Sequence, residues 1–332
     1  MNITVLMGGA SAERDVSLAS GLRIVEALQS RGHTVIALDP AAGVLGDAEL
    51  RELRTRKVGT APPPLDVLAG LSCGSLRTDL ASLQEIRGAD VVFLALHGGQ
   101  GEDGTVQALL DMAGVPYTGS GHMASALAMD KELSKILFRA AGVQTADWLM
   151  APQSADTVEQ VLGFPVVVKP SKQGSTVGLT VVKRRDQLTE AVTQAFLYDD
   201  EVMIERFIPG RELTVGVLGD RALPVGEIKP VHEIYDYECK YTAGMAAEEF
   251  PADLSPLLFA RLQRQALDAF RALKLRGYAR IDFRMSDDGA CYCLEANTLP
   301  GMTTLSLIPQ GAAAAGIGFD TLCERIVQLA FG

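Results

Sequence analysis

The stretch "CYCLEANTLPGM", Cys291 to Met302, reads as a strand running directly into a turn. Side chains two apart on a strand share one face, so Glu295 and Asn297 point the same way just before Pro300 and Gly301. Upstream, "GYARIDFRMSDDGACYCLEAN" sets two runs of β-formers around Asp288-Gly289, the strongest short-range hairpin signal a sequence carries. Taken as a two-residue turn, it places Asp287 opposite Ala290, Asp282 opposite Glu295 and Arg280 opposite Asn297. Ile281, Phe283, Met285, Tyr292, Leu294 and Ala296 then form the core-facing side, and Cys291 and Cys293 fall on the polar side. Opposed carboxylates about 5 Å apart weaken a sheet unless a cation lies between them. Mg²⁺ suits such a place, because it takes one or two carboxylates and leaves the rest of its shell to water and phosphates. A solvated acidic face, or a pair neutralised by Arg280 and Arg284, is the other reading of the same residues.

A chain of 332 residues with 48% hydrophobic content exceeds one ordinary domain, so two or three are expected. Its net charge of −11 gives no general attraction to nucleic acid or anionic lipid, so any polyanionic ligand must meet a few positioned Lys or Arg residues. Five irregularly spaced cysteines argue against a disulfide framework and for a reducing compartment. Cys291 and Cys293, with no partner at ligand spacing, read as small packing residues. "MNITVLMGG" has no signal-peptide character and no apolar run is long enough to span a bilayer, so a cytoplasmic protein is expected.

The first third alternates "ITVLM", a helix from about Ser17, "HTVIALD" and "DVVFLAL", the pattern of a parallel α/β sheet. Residues 40–88 give little signal beyond "APPPLD", a surface loop. "SGHMASALAMDKELSKILFRAAG" predicts one long helix ended by Gly142, with "FPVVVKP" and "EVMIERFI" as strands after it. The remainder offers "RELTVGVLG" and "ALPVGEIKP", an irregular stretch from Tyr235 to Leu254, a helix, the hairpin and a terminal helix.

Gly99, Gly101 and Gly104 match G-x-G-x-x-G after a strand, where a dinucleotide fingerprint would lie. Glu102 and Asp103 sit in that turn, however, and would repel a pyrophosphate. The loop fits a substrate pocket better, with His97 at the strand's end or simply hydrogen-bonded within its loop. A stronger phosphate candidate is "VVVKPSKQGSTVGLTVV", a strand ending in Lys169, then a loop of Gly and hydroxyl residues that can fold over phosphates as a lid. Lys131 is a second cation of the same region, and Glu205 and Glu212 flank an apolar strand as candidates for adenine and ribose contacts or as solvated glutamates.

Together, "GGASAERDVSL", "ALHGGQGEDGT", "YTGSG", "MDK", "VVVKPSKQGSTVG", "YDYECKY", "ARIDF" and "EANTLPGMTTLSL" resemble the D-alanine:D-alanine ligases of the ATP-grasp superfamily, over nearly the whole chain apart from residues 40–88. The resemblance implies an α/β and α+β protein: an N-terminal Rossmann-like parallel-sheet domain, residues 1–119, then a two-subdomain ATP-grasp fold. Residues 120–209 would form the central subdomain with the phosphate lid, and residues 210–332 the C-terminal subdomain with the metal site and a mobile loop. The implied reaction joins two D-alanines using ATP, through D-alanyl phosphate and a tetrahedral intermediate, for peptidoglycan precursors. Asp282, Glu295 and Asn297 would hold two Mg²⁺ ions, with Mn²⁺ able to substitute. Lys131 and Lys169 would grip phosphates, Ser175, Thr176 and Val177 would form the lid, and Glu205, Phe207, Ile208 and Glu212 would line the adenosine pocket. Glu13, fixed by Ser175 and Tyr241, would take the first D-alanine's ammonium group, with His97 near its carboxylate. Arg280 and the Gly301 N–H would stabilise the oxyanion, Lys240 would hold phosphate, and Ser306, with Leu307 beside it, would receive the second D-alanine's carboxylate. The "KY" pattern ending in Tyr241 favours an amine acceptor over D-lactate, and a homodimer is expected. An NAD-dependent oxidoreductase using the Gly99 turn, or a non-catalytic nucleotide-binding module, are the competing readings.

Overall fold

The alternating first third of the chain folds as a sheet ordered β3-β2-β1-β4, from β1 (Asn2–Leu6), β2 (Thr34–Asp39), β3 (Gly43–Val44) and β4 (Val91–Leu94). In the computed structural model, which describes residues 1–56, 58–61, 67 and 79–332, β1 pairs parallel with both β2 and β4, and only the two-residue β3 runs antiparallel. All four residues of β4 are buried, as expected where helices cover both faces of a parallel sheet. The crossover helix from β1 to β2 is Arg14–Ser30, which starts three residues before the expected Ser17 and puts Glu13 at its N-cap. Most of the expected "APPPLD" loop, residues 62–66, lies outside the described residues.

The expected single helix after Ser120 is two, His122–Met129 and Lys131–Ala140. Asp130 leaves the helical backbone (φ −79°, ψ 104°) and its carboxylate caps the second helix by accepting the Leu133 N–H at 3.0 Å. An aspartate favours that N-cap geometry over a helix interior, and the break sets Lys131 at a helix start.

A second sheet, ordered β5-β8-β6-β7, consists of β5 (Trp148–Met150), β6 (Val166–Pro170), β7 (Thr180–Val182) and β8 (Val202–Arg206). β6 and β7 are antiparallel neighbours, so the loop between them overhangs the sheet end. The third sheet runs β12-β11-β9-β13-β14, with the short β10 (Arg221–Ala222) beside β9 (Arg211–Leu218). Its other strands are β11 (Gly226–Pro230), β12 (Ala246–Glu249), β13 (Tyr278–Met285) and β14 (Cys291–Asn297). The Tyr235–Leu254 stretch, unassigned from sequence, holds the short helix Tyr237–Tyr241 and the edge strand β12. The terminal helices return to the first sheet: Ile308, Leu322, Ile326 and Val327 share a core with Ile3, Ile24 and Phe93.

The hairpin β13–β14 corrects the turn. Ser286 N–H bonds the Ala290 carbonyl and Gly289 N–H returns to Ser286, so the loop has three residues, with Gly289 left-handed at φ 79°. A glycine in that place is what a three-residue hairpin loop requires. A two-residue turn would have kept one register throughout, but the ladder shifts between Asp282 and Phe283, where Leu294 is the extra residue of a bulge. Beyond it, Asp282 faces Glu295 and Arg280 faces Asn297 as expected. The shift moves Cys291 and Cys293 from the polar side into the core, where both are buried, unpaired thiols. Leu294 turns out of the core toward a cavity.

Candidate active site

Two adjoining cavities open along the third sheet. The larger, about 970 Å³, is lined by Lys131, Lys169, Thr176, Val177, Glu205, Phe207, Ile208, Glu212, Asp282 and Glu295 among others. Every residue expected to hold nucleotide is therefore on one wall system. Glu205 is buried between two ammonium groups, bonding Lys135 Nζ closely and Lys169 Nζ at 2.7 Å. Burial alone would raise its pKa, but the two lysines outweigh it and hold the carboxylate at about 2. Glu205 thus lines the cavity as expected of an adenosine-side residue, with each carboxylate oxygen also held by a lysine. Lys135, which the sequence analysis did not single out, is fully buried and also donates to Thr145 Oγ1 at 2.7 Å. Arg284 also went unassigned as a site residue. It holds the Ile208 carbonyl at 3.1 Å and Glu212 at 3.1 Å, fixing two positions of the cavity wall. The loop above them carries Ser175 and Thr176 in left-handed backbone, φ 49° and 60°, conformations that non-glycine residues adopt at an energetic cost and that cluster at ligand clamps.

At the hairpin end, Asp282 accepts three contacts from Arg280 (2.8, 2.9 and 3.1 Å), the Asn297 amide at 2.9 Å and Thr214 Oγ1 at 2.8 Å. Glu295 faces Lys131 Nζ at 3.2 Å. Burial works against the Glu295 charge, but Lys131, Lys240, Lys169 and Arg280 prevail and hold it at about 2. The repulsion expected between the two opposed carboxylates is therefore relieved in the structure by protein cations, each taking one carboxylate. Arg280, partly buried, is kept charged by Asp282 and Glu295 despite desolvation. With one amide proton of Asn297 turned to Asp282, its oxygen remains, so Asp282, Glu295 and Asn297 present hard oxygen donors from one side of the ribbon. That donor set fits Mg²⁺.

The second cavity, about 580 Å³, is lined by Glu13, His97, Glu102, Tyr241, Arg280, Asn297, Gly301, Ser306 and Leu307, and shares Ser175, Tyr235 and Lys240 with the first. Glu13 Oε1 receives the Ser175 hydroxyl in a short contact and the Tyr241 hydroxyl at 3.1 Å, while Ser175 and Tyr241 lie 3.0 Å apart. Burial first, and then Glu13, push the Tyr241 phenol well above its ordinary value, so it stays a donor. Ser306 Oγ accepts the Thr303 N–H at 2.9 Å at the start of helix Leu307–Ala314. A Cβ on Gly301 would sit 2.7 Å from that oxygen, so only glycine lets the turn pass so close.

His97 lines the same cavity, with its Nδ1 on the Leu299 carbonyl at 2.8 Å and its Nε2 at 3.2 Å from Ser20 Oγ. Burial lowers its pKa and keeps it neutral. The glycine-rich turn is closed to a pyrophosphate in a way the sequence hinted at. Glu102 itself accepts the Gly98 N–H at 3.1 Å, and no reading of that turn as a dinucleotide site survives. His232, Asp236 and Cys239 bring ligand-type atoms within 4.8 Å of one another. However, Asp236 is engaged in capping its helix at the Cys239 N–H (3.0 Å) and in bonding His232 (2.7 Å). The trio closes the segment that presents Lys240 and Tyr241. Among the described residues, no helix is long and apolar enough to cross a membrane.

Family models described as D-ala D-ala ligase N-terminus and D-ala D-ala ligase C-terminus match residues 2–120 and 136–328. A D-alanine–D-alanine ligase of Geobacter sulfurreducens is 45% identical over 328 residues, spanning 98% of this chain and 92% of the relative. One of Geotalea uraniireducens is 43% identical over 330 residues, covering 99% and 95%. Among solved structures, the D-alanine–D-alanine ligase of Bacillus anthracis complexed with ATP aligns with a TM-score of 0.76 at 31% identity, covering 99% of this chain and 96% of that one.

Proposed function

This chain belongs to the D-alanine–D-alanine ligase family, and from that premise we propose how its two adjoining cavities do the work. It is an ATP-dependent ligase of ATP-grasp fold that forms D-alanyl-D-alanine through D-alanyl phosphate, releasing ADP and phosphate, for peptidoglycan synthesis. The larger cavity takes ATP: Phe207, Ile208 and Glu212 line the adenosine, and the Ser175–Val177 loop covers the phosphates. Lys131 and Lys169 exchange Glu295 and Glu205 for phosphate oxygens. Asp282, Glu295 and Asn297 are the holders of two Mg²⁺ ions, or Mn²⁺ in their place, whose charge would offset that of the phosphates.

In the smaller cavity the first D-alanine sets its ammonium group on Glu13, oriented by Ser175 and Tyr241. Its carboxylate oxygen attacks the γ-phosphorus, the bond to the bridging β–γ oxygen breaks, and ADP leaves. The second D-alanine rests its carboxylate on Ser306 and the N-terminus of helix Leu307–Ala314, where free N–H groups and the helix dipole favour an anion. As the free amine, its ammonium proton given up to solvent, it attacks the acyl carbon, and Arg280 and the Gly301 N–H receive the oxyanion. The C–O bond to phosphate then breaks, the nitrogen's second proton leaves with the phosphate, and Lys240 steadies that departing group. Placing the enzyme in the cytoplasm as a homodimer belongs to the same reading.

The observation that carries this reading is the Glu13–Ser175–Tyr241 contact, which ties three distant segments together at the boundary of the two cavities. Purified protein with Mg²⁺, ATP and D-alanine is expected to release phosphate and form the dipeptide, with little turnover on L-alanine or with D-lactate as acceptor. Phosphate release that did not depend on D-alanine would defeat it.

A further inference from the structure

The turn Leu299–Met302, which follows β14 and carries Gly301, is held at both ends by residues of the first 119. The Leu299 N–H donates to Glu102 Oε1 at 3.3 Å, and its carbonyl receives His97 Nδ1 at 2.8 Å. The Met302 N–H donates to Ser20 Oγ at 3.0 Å, and its carbonyl receives Arg23 Nη1 at 2.6 Å. Both backbone groups of both end residues are thus engaged. Between them, Pro300 has no N–H, and the Gly301 N–H meets no partner among the described residues.

Deep burial keeps His97 neutral, and with a neutral imidazole the hydrogen bonds are mutually consistent in one arrangement. His97 Nδ1 donates to the Leu299 carbonyl and Nε2 accepts, so the Ser20 hydroxyl donates to it at 3.2 Å and its oxygen is free to accept from Met302. Ser20, His97 and Glu102 are themselves immobilised: Ser20 is completely buried in helix Arg14–Ser30, and Glu102 also grips the Gly98 N–H. The Arg23 guanidinium stacks 3.9 Å from the Phe319 ring centre.

We propose that Ser20, Arg23, His97 and Glu102 form a bracket of positioning residues that sets the Gly301 N–H at the point where the oxyanion develops. The proposal rests on the ligase reading above. The helix that begins beside Glu13 thereby governs both ends of the reaction: its N-cap residue orients the first amino acid, and its second and third turns, through Ser20 and Arg23, fix the donor that the tetrahedral intermediate needs. An oxyanion donor has to be preorganised rather than merely present, and a misplacement of about 1 Å can cost about 10²-fold in rate.

The test uses full-length enzyme, with Ser20→Ala and Arg23→Met as disrupting variants and Arg23→Lys as the conservative one. Steady-state rates are compared with binding of ADP, of D-alanine, and of a phosphinate dipeptide that mimics the tetrahedral intermediate. The expected result is a kcat about 10- to 100-fold lower in both disrupting variants, with KM for ATP and for the first D-alanine within about twofold of wild type. Phosphinate affinity should fall in step with kcat, and Arg23→Lys should recover most of both. Two results would overturn the bracket: unchanged kcat in both disrupting variants, or phosphinate and D-alanine affinities falling equally, which is what general loosening produces. Failure of the ligase reading itself looks different, because wild type would then show no D-alanine-dependent phosphate release.

Discussion

The two cavities are built in opposite ways. The nucleotide-side cavity draws on residues 131 to 295, half of them strand-borne, and its charges are matched in pairs: Lys131 with Glu295, Lys169 with Glu205, Arg284 with Glu212. The amino-acid-side cavity joins residue 13 to residue 307 through loops and helix starts, and it relies on hydroxyls and backbone groups more than on paired charge. The contrast teaches where damage should be read. On the proposed roles, changes in the first region should act on metal, phosphate and stability, whereas changes in the second should act on amino-acid affinity or on the acyl-transfer step, with the nucleotide untouched.

The severest challenge to that contrast is Glu295→Gln. Losing a carboxylate that four cations hold ionised is expected to lower kcat by about 10²-fold or more and to shift the Mg²⁺ dependence. Turnover with an unaltered Mg²⁺ titration would detach Glu295 from metal binding. Next comes Lys135→Ala, which leaves Glu205 with one ammonium partner and a void. A loss of about 3 kcal/mol in denaturant unfolding is expected, with a raised KM for ATP because Glu205 then holds Lys169 more tightly. Tyr241→Phe removes the phenol bond to Glu13 and should raise KM for the first D-alanine about tenfold or less, and Ser306→Ala should do the same for the second. Neither should move KM for ATP, and if either did, the separation of the two regions would fail.

The smallest effect concerns Glu102. Burial, reinforced by Glu13, raises its pKa from 4.5 to about 7. The folded protein therefore binds that proton more tightly than the unfolded chain, and this group's contribution to stability declines as pH rises from about 4.5 to about 7. Glu102→Gln has no such slope. Its melting temperature minus that of wild type should become more positive between about pH 5 and about pH 8, and a flat difference would mean that Glu102 titrates normally.

The same contrast explains what the sequence disclosed. Strand periodicity exposes paired positions, so Asp282 and Glu295 could be set opposite each other from the assumed Asp288-Gly289 turn and the alternation on either side of it. The register there is right although the turn is wrong, because the third loop residue and the bulge at Leu294 offset each other. Residues between the two deviations do not benefit, which is why Cys291 and Cys293 were placed on the polar side. Asp130 sits within a continuous helical pattern, and periodicity does not register a capping break. Lys135 on such a helix looks like any solvated lysine until the fold sets Glu205 opposite it. Least legible is the grip on Leu299 and Met302, since backbone N–H and carbonyl groups are the same at every residue and only tertiary contact distinguishes them.

Ser175, Tyr235 and Lys240 belong to the walls of both cavities, so the compartments are rooms with a common doorway rather than separate sites. A single molecule tethering an adenosine-like group to a dipeptide mimic through that doorway would turn its second attachment into an intramolecular event. With a short linker, the local concentration would be in the millimolar range, and avidity could exceed either half alone by about 10²- to 10⁴-fold without any new contact. The architecture thus favours bivalent inhibitors over stronger versions of either half.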